Sequence, residues 1–286
     1  MSIKLIQDRL DLYNCQSELE EEHAIREITQ EVALAALGRT DYFKQAVFQG
    51  GTCLRIFYGL NRFSEDLDFI LQKPDASFTL EPYLGALSDE LKAYGYDIEI
   101  VDRSNAKTNV RKAFIKDDSV GKVLQVNHAG KTGPLRKIRV KIEVDTNPPA
   151  GGRWQINYLD FPFVSSVTAQ DMPSLFAGKI HALLCREYTK GRDWYDFIWY
   201  AGRQADINCA FLAAALKQQG PWQGQNLNVD KQWCIEALRE KIDSVNWQDA
   251  KDEIRRFVRA NELPSIELWN RELFLNRLER YASKSE

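Results

Sequence analysis

The sequence has no C-x-x-C pair, few histidines and no long hydrophobic run, and each absence removes a class of protein. Its five cysteines (Cys15, Cys53, Cys185, Cys209, Cys234) are odd in number and dispersed, which suits reduced thiols and argues against a disulfide framework. His23, His128 and His181 lack the spacing of metal ligands, so zinc chemistry is not expected. No stretch approaches the roughly 18 apolar residues that a membrane-spanning helix needs. The opening segment MSIKLIQDRLDLYN is broken by charges and has no apolar centre of the kind a secretion signal carries. A cytoplasmic protein with no membrane partner is therefore expected.

What is present describes a globular chain. Hydrophobic residues make up 44% and charged residues 28%, enough apolar content to offset the entropy of ordering. A length of 286 residues favours two ordinary domains over one large one. The formal net charge of −3 argues against general coating of nucleic acid, but the average hides a gradient. Between Arg103 and Lys141 there are eleven Lys and Arg against only Asp117 and Asp118. Such a stretch either attracts a polyanion or forms the solvated face of a twisted sheet.

Periodicity divides the chain. Residues 2–38 read as helical, with Ile25, Ile28, Val32, Ala35 and Ala36 near a 3.6-residue repeat and Gly38 as a stop. A short apolar run, AVFQ, meets Gly50-Gly51-Thr52, and CLRIFYGL reads as a short helix. DLDFIL (66–71) suits a buried strand, and LEPYLGALSDELKAYGY (80–96) an amphipathic helix. Strands are expected at 96–101, 111–116 and 137–145, the last with Ile138, Val140, Ile142 and Val144 on one face. Asp171 and Pro173 resemble a helix start, and helical stretches run from there to the end. The expected fold class is α+β: a mixed-sheet domain with N-terminal helices over 1–168, then an all-helical domain over 169–286.

The stretch QGGTCLRIFYGLNRFSEDLDFIL (49–71) carries the chemistry. Residues two apart in a strand share a face, so Asp66 and Asp68 project together. Two carboxylates about 5 Å apart repel by roughly 3 kcal/mol at an effective dielectric of about 20. A cation relieves that repulsion, and Mg²⁺ takes hard oxygen ligands and bridges carboxylates to phosphates. On its own, however, D-x-D is common on solvated turns. Gly50-Gly51-Thr52, at a strand-to-helix junction, would let a phosphate approach the backbone; Thr52 would either cap the helix or donate its hydroxyl to the phosphate. The plain alternative is an ordinary turn.

The pattern G-[ST], thirteen residues, then D-x-D resembles the signature of the DNA polymerase β-like nucleotidyltransferases. The longer string GGTCLRIFYGLNRFSEDLDF resembles the AbiEii family, the toxins of AbiE and MenAT type IV toxin–antitoxin systems. A second block, GKIHALLCREYTKGRDWYDF (178–197), is similar to that family's later motif, in which a helix lysine precedes R-D-x-x-D. The resemblance covers residues 45–200. It implies that Gly50, Gly51 and Thr52 contact the triphosphate of an NTP, that Asp66 and Asp68 hold Mg²⁺ (or Mn²⁺), and that Lys179 reaches a phosphate. Asp196 is the aspartate of the later motif, with Asp193 close by. Lys179 also sits near an apolar face, where a lysine should find an anion; the alternative is a snorkelling surface lysine. For Asp193 and Asp196 the plain alternative is a structural pairing with Arg192 or Arg186. The superfamily usually adds a third carboxylate, for which Glu143 and Asp145, on one face of their strand, are both candidates; the AbiEii resemblance favours the glutamate position. Cys53 stands where small residues are usual and reads as an apolar filler.

The resemblance implies transfer of a nucleotide from an NTP to RNA, with a tRNA 3′ end as the candidate acceptor. It also implies a separately encoded antitoxin with a DNA-binding domain. Three rivals share the same residues. A transferase acting on a small molecule or protein would show no salt-dependent RNA binding, and a nucleotide-binding interaction protein would show no turnover. A kinase would move the γ-phosphate label instead of the α.

Overall fold

A computed structural model describes residues 2–104, 108–117, 124, 126 and 138–283. His128, Asp118 and five residues of the basic stretch (Lys107, Lys122, Lys131, Arg136 and Lys137) lie outside the described residues. The chain forms two compact units. The first comprises Met1–Gly59, Phe63–Pro148 and Gln155–Ala169; the second comprises Leu60–Arg62, Pro149–Trp154 and Gln170–Glu286.

In the first unit the N-terminal helical stretch is broken into α1 (Ser2–Asp11) and α2 (Glu18–Gly38). Ser17 makes the break: its backbone is extended and its side chain accepts a hydrogen bond from the Glu20 N–H, a standard N-cap. Glu18, Glu20 and Glu21 then place negative charge in the first turn, where the helix dipole favours it. Ile25, Ile28, Val32, Ala35 and Ala36 are all buried as their spacing predicts. However, α2 is covered on almost every side, so its polar residues needed partners. Glu27 pairs with Arg55, Glu31 with Arg9, and the Thr29 hydroxyl donates to the Ile25 carbonyl.

Among the described residues the sheet has seven strands: β1 (Ala46–Gln49), β2 (Asp66–Leu71), β3 (Ile98–Asp102), β4 (Val110–Asp117), β5 (Ile138–Asp145), β6 (Trp154–Leu159) and β7 (Ser165–Gln170). Their order is β3-β4-β5-β2-β1-β7-β6. It is a mixed sheet, since β2 runs antiparallel to β1 and parallel to β5, and β1 runs parallel to β7. The alternation read in 138–145 is real: Ile138, Val140, Ile142 and Val144 are buried, while Arg139 is exposed and Lys141, Glu143 and Asp145 are half-buried. Among the described residues, the unit's further α-helices are α3 (Gly50–Tyr58) and α4 (Glu81–Ala93). Gly59, at φ +75°, ends α3 in a left-handed conformation that suits glycine.

Strands β6 and β7 are not evident in the sequence, for a physical reason. β6 is an edge strand whose Trp154, Ile156 and Tyr158 are exposed, so it buries no alternating set. In β7, the sequence SSVTAQ is short and largely polar.

The second unit is helical after its strand segment: α5 (Met172–Cys185), α6 (Gly191–Gly202), α7 (Cys209–Gln218), α8 (Lys231–Asp243), α9 (Trp247–Ile254), α10 (Leu263–Glu267) and α11 (Arg271–Ser283). Asp171 caps α5 by accepting from the Ser174 N–H at 2.9 Å, with Pro173 in the first turn, as the sequence suggests. Phe176, Trp194, Phe197, Tyr200, Phe274 and Tyr281 fill the core. Burying one large apolar side chain contributes about 1.5–3 kcal/mol. Gly191 lets α6 and α9 meet, because a Cβ there would fall 1.9 Å from the Ala250 carbonyl oxygen. The α+β class, with a mixed sheet and C-terminal helices, is the one the sequence predicts. Among the described residues, no helix is long and apolar enough to cross a membrane.

Candidate active site

In the first unit the site begins at the β1–α3 junction. The β1–β2 register sets Gln49 opposite Asp68, which brings Gly50, the next residue, against the Asp68 side chain. Gly50 adopts φ +80°, and a Cβ on it would lie 2.7 Å from Asp68 Oδ2. Only glycine satisfies both the backbone conformation and that contact. The first turn of α3 therefore opens directly beside a carboxylate.

Thr52 is not the helix cap. The N-cap of α3 is Gln49, not Thr52, and Gln49 makes no side-chain cap bond. Thr52 is buried, and its hydroxyl donates to the Asp66 backbone carbonyl at 2.5 Å. It ties α3 to the start of β2 and so fixes where the Asp pair begins. Cys53 is buried, and burial raises its thiol pKa well above the ordinary range, in keeping with an apolar filler.

Asp66 and Asp68 share a face of β2 and are both half-buried. The parallel register pairs Asp66 with Lys141, Asp68 with Glu143 and Ile70 with Asp145. That separates the two candidates for a third carboxylate. Glu143 stands beside Asp68, whereas Asp145 stands two positions further along and accepts the Asn147 N–H at 2.8 Å. Glu143 is already engaged, with Lys141 Nζ at 2.8 Å and Lys112 Nζ at 2.9 Å. Burial works to raise the Glu143 pKa, but the hydrogen bonds from these two lysines outweigh it and leave the group below its usual range. For Asp145 burial prevails and the pKa is raised.

Lys141 was not singled out in the sequence, yet it is central. Its ammonium lies 3.5 Å from Asp66 Oδ2 while it holds Glu143. Burial works against its charge, but Glu143, Asp66 and Asp68 more than compensate and its pKa is raised. The cation that a strand-borne Asp pair requires is thus supplied in part by the protein itself. Lys112, Lys116 and Lys141, all from the basic stretch, are engaged in ion pairs. Arg111 is buried and donates to the carbonyls of Phe78, Thr108 and Ala76.

A divalent ion fits the two-carboxylate set. Asp66 and Asp68 are hard oxygen donors, and Gly50 leaves open the space beside Asp68 that a side chain would fill. Mg²⁺ typically takes one or two carboxylates and completes its shell with water and substrate phosphates. Among the described residues, no group of three or more His, Cys, Asp or Glu could hold a metal.

In the second unit, Lys179 of α5 finds its anion in two carboxylates: Asp193 Oδ1 at 2.6 Å and Asp196 Oδ2 at 2.7 Å, both on α6. It is not a snorkelling surface lysine. Asp193 also binds Arg186 at 2.5 Å, one of the two pairings weighed from the sequence; Arg192 pairs with Glu253 instead. Asp196 is fully buried and receives both Nε and Nη2 of Arg62 at 2.7 Å. Burial would push both aspartates up, but the facing cations hold them below the usual carboxylate range. Arg62 was missed in the sequence, although it lies inside the string GGTCLRIFYGLNRFSEDLDF that carries the resemblance.

A glycine turn at a helix start, set beside a carboxylate pair on a central strand of a mixed sheet, fits the nucleotidyltransferase class that the sequence resemblance implies. Residues 32–276 match the family model described as the nucleotidyl transferase AbiEii toxin of type IV toxin–antitoxin systems. The chain belongs to that family. Its fold is similar to that of JHP933 from Helicobacter pylori, with a TM-score of 0.54 and 18% identity over 92% of this chain and 91% of that one. MenT4, a nucleotidyltransferase toxin from Mycobacterium tuberculosis H37Rv, aligns over 98% of both chains with 16% identity and a TM-score of 0.48. No curated protein sequence matches.

Proposed function

We propose that the protein transfers a nucleoside monophosphate from an NTP to an RNA acceptor, a tRNA 3′ end being the favoured target, in a Mg²⁺-dependent reaction. The observation that carries the reading is the placement of Asp68 against the Gly50 backbone, with Asp66 two residues earlier on the same face. Asp66 and Asp68 would hold the metal, with Mn²⁺ as a substitute, and the ion would supply charge neutralisation at the triphosphate. The backbone of Gly50 and Gly51 offers donors to phosphate oxygens at the start of α3. The Thr52 hydroxyl holds α3 to β2, which leaves its N–H as the group for the nucleotide. Lys141 balances charge beside Asp66 and keeps Glu143 ionised. In the helical unit, Asp193 and Asp196 hold the ammonium of Lys179, the lysine to which the family resemblance gives a phosphate contact, while Arg62 secures Asp196.

The resemblance to the type IV toxins supports an RNA acceptor; the basic excess between Arg103 and Lys141 is compatible with it, although Lys112, Lys116 and Lys141 are ion-paired and Arg111 is buried. The partner implied by the family is an antitoxin, here taken to be separately encoded and DNA-binding, and the site of action is the cytoplasm. The test is incubation with each α-labelled NTP, Mg²⁺ and total RNA, followed by sizing of the product. Label on an RNA band supports the reading. Label on protein or on a small molecule points to another acceptor, and γ-label transfer would mean kinase chemistry.

A further inference from the structure

The loop between α5 and α6 lines a polar cavity of about 220 Å³ in the helical unit, against roughly 10–15 Å³ for a single water. Arg186, Lys190, Lys241, Glu187, Tyr188 and Asp193 contribute to its wall. Its cations are not equivalent. Arg186 is paired with Asp193, and Lys241 Nζ donates to the Arg186 carbonyl at 2.9 Å. Lys190 is half-buried and, among the described residues, makes neither a hydrogen bond nor an ion pair through its side chain.

Charge along the wall does not balance. Arg186, Lys190 and Lys241 are set against Glu187 and Asp193, and Asp193 is itself shared with Lys179; the adjoining Arg192 and Glu253 cancel each other. Burying an ammonium without an acceptor is costly and favours its neutral form. Burial first, then the nearby Arg192 charge, depresses the Lys190 pKa to about 8. A group held in that state gains from an anion that enters and satisfies it.

We infer that the cavity walled by Arg186, Lys190 and Lys241 is a phosphate-binding site, with Lys190 as its principal ligand. A phosphate oxygen accepts from the Lys190 ammonium, while Arg186 and Lys241 supply further donors without leaving their present partners. The chemistry is that of a phosphate group, carried either by a nucleotide's triphosphate or by the backbone of a nucleic acid. The inference does not depend on transfer activity, because it concerns binding alone.

The experiment reads Lys190 directly in the full chain, in EDTA and without turnover. A brief acetic anhydride pulse at pH 8, followed by peptide mass spectrometry, measures its acetylation, with exposed Lys217 as internal control. Pyrophosphate is expected to protect Lys190 several-fold if the source is a nucleotide, and a short oligoribonucleotide to do so if the source is a backbone; Lys217 should be unchanged. In calorimetry, Lys190→Gln should weaken the protecting ligand by about tenfold or more, and Lys190→Arg should restore most of the loss. Protection by neither ligand overturns the inference, as does an affinity unchanged in Lys190→Gln. A chain that transfers no nucleotide but shows the protection would contradict only the proposed function.

Discussion

Asp68 Oδ2 lies where a Cβ on Gly50 would come within 2.7 Å, so the carboxylate and the glycine backbone fit together only in the absence of a side chain. Gly50→Ala must therefore both strain a positive φ and displace Asp68. The backbone penalty alone is about 1–2 kcal/mol. Nucleotide transfer should fall by at least about tenfold as the carboxylate moves, on the scale of small misplacements at reacting centres. Melting curves and initial rates measured together check this, and a fully active Gly50→Ala would remove the contact from the site.

The strand register separates the acidic residues by function. Asp68→Ala should reduce turnover by about 10²–10³-fold or more, as at comparable electrostatic groups. Asp145→Asn should remain near wild type, because Asp145 is engaged with the Asn147 N–H beside Ile70. Rates for both variants under saturating NTP decide the matter, and equal losses would show the register to be irrelevant.

Arg62 and Asp196 form a bidentate pair in which both side chains are almost completely buried. Removing Arg62 leaves the buried Asp196 carboxylate compensated only in part, by Lys179 at 2.7 Å, so Arg62→Met should cost about 1–3 kcal/mol in urea unfolding. The double variant Arg62→Met with Asp196→Leu should lose clearly less than the sum of the singles, since neither charge is then stranded. Additive losses would argue that the pair is not coupled.

Glu31 gives stability a pH dependence. Burial, opposed by the hydrogen bond and charge of Arg9, pushes its carboxyl from 4.5 to about 7. The folded state therefore holds its proton more tightly than the unfolded chain. That contribution is complete below about 4.5 and is lost as pH rises through about 7. Glu31→Gln cannot lose that proton, so its melting temperature should gain on wild type across this interval. Parallel curves for the two proteins would refute the assignment.

Local pattern was sufficient for much of the architecture. The apolar runs at 66–71 and 138–145 became β2 and β5, because alternation and length are written within each segment. Asp171 announced the start of α5 through its own cap. By contrast, β6 left little trace, since an edge strand that exposes Trp154, Ile156 and Tyr158 has no buried face to mark it.

The same division runs through the site. That Asp66 and Asp68 share a face follows from the two-residue repeat of any strand, and that a short helix follows AVFQ at the paired glycines follows from composition, although the helix begins at Gly50 itself and not after Thr52. Both are short-range properties, determined by the sequence alone. The lysine beside Asp66, the strand neighbour of Asp68 and the counter-ion of Asp196 were decided by tertiary structure. Lys141 and Glu143 reach β2 through a parallel register that neither strand specifies by itself. Arg62 meets Asp196 across 134 residues of chain. Such pairings are selected by packing, which alone makes an unpaired buried charge more costly than a distant partner.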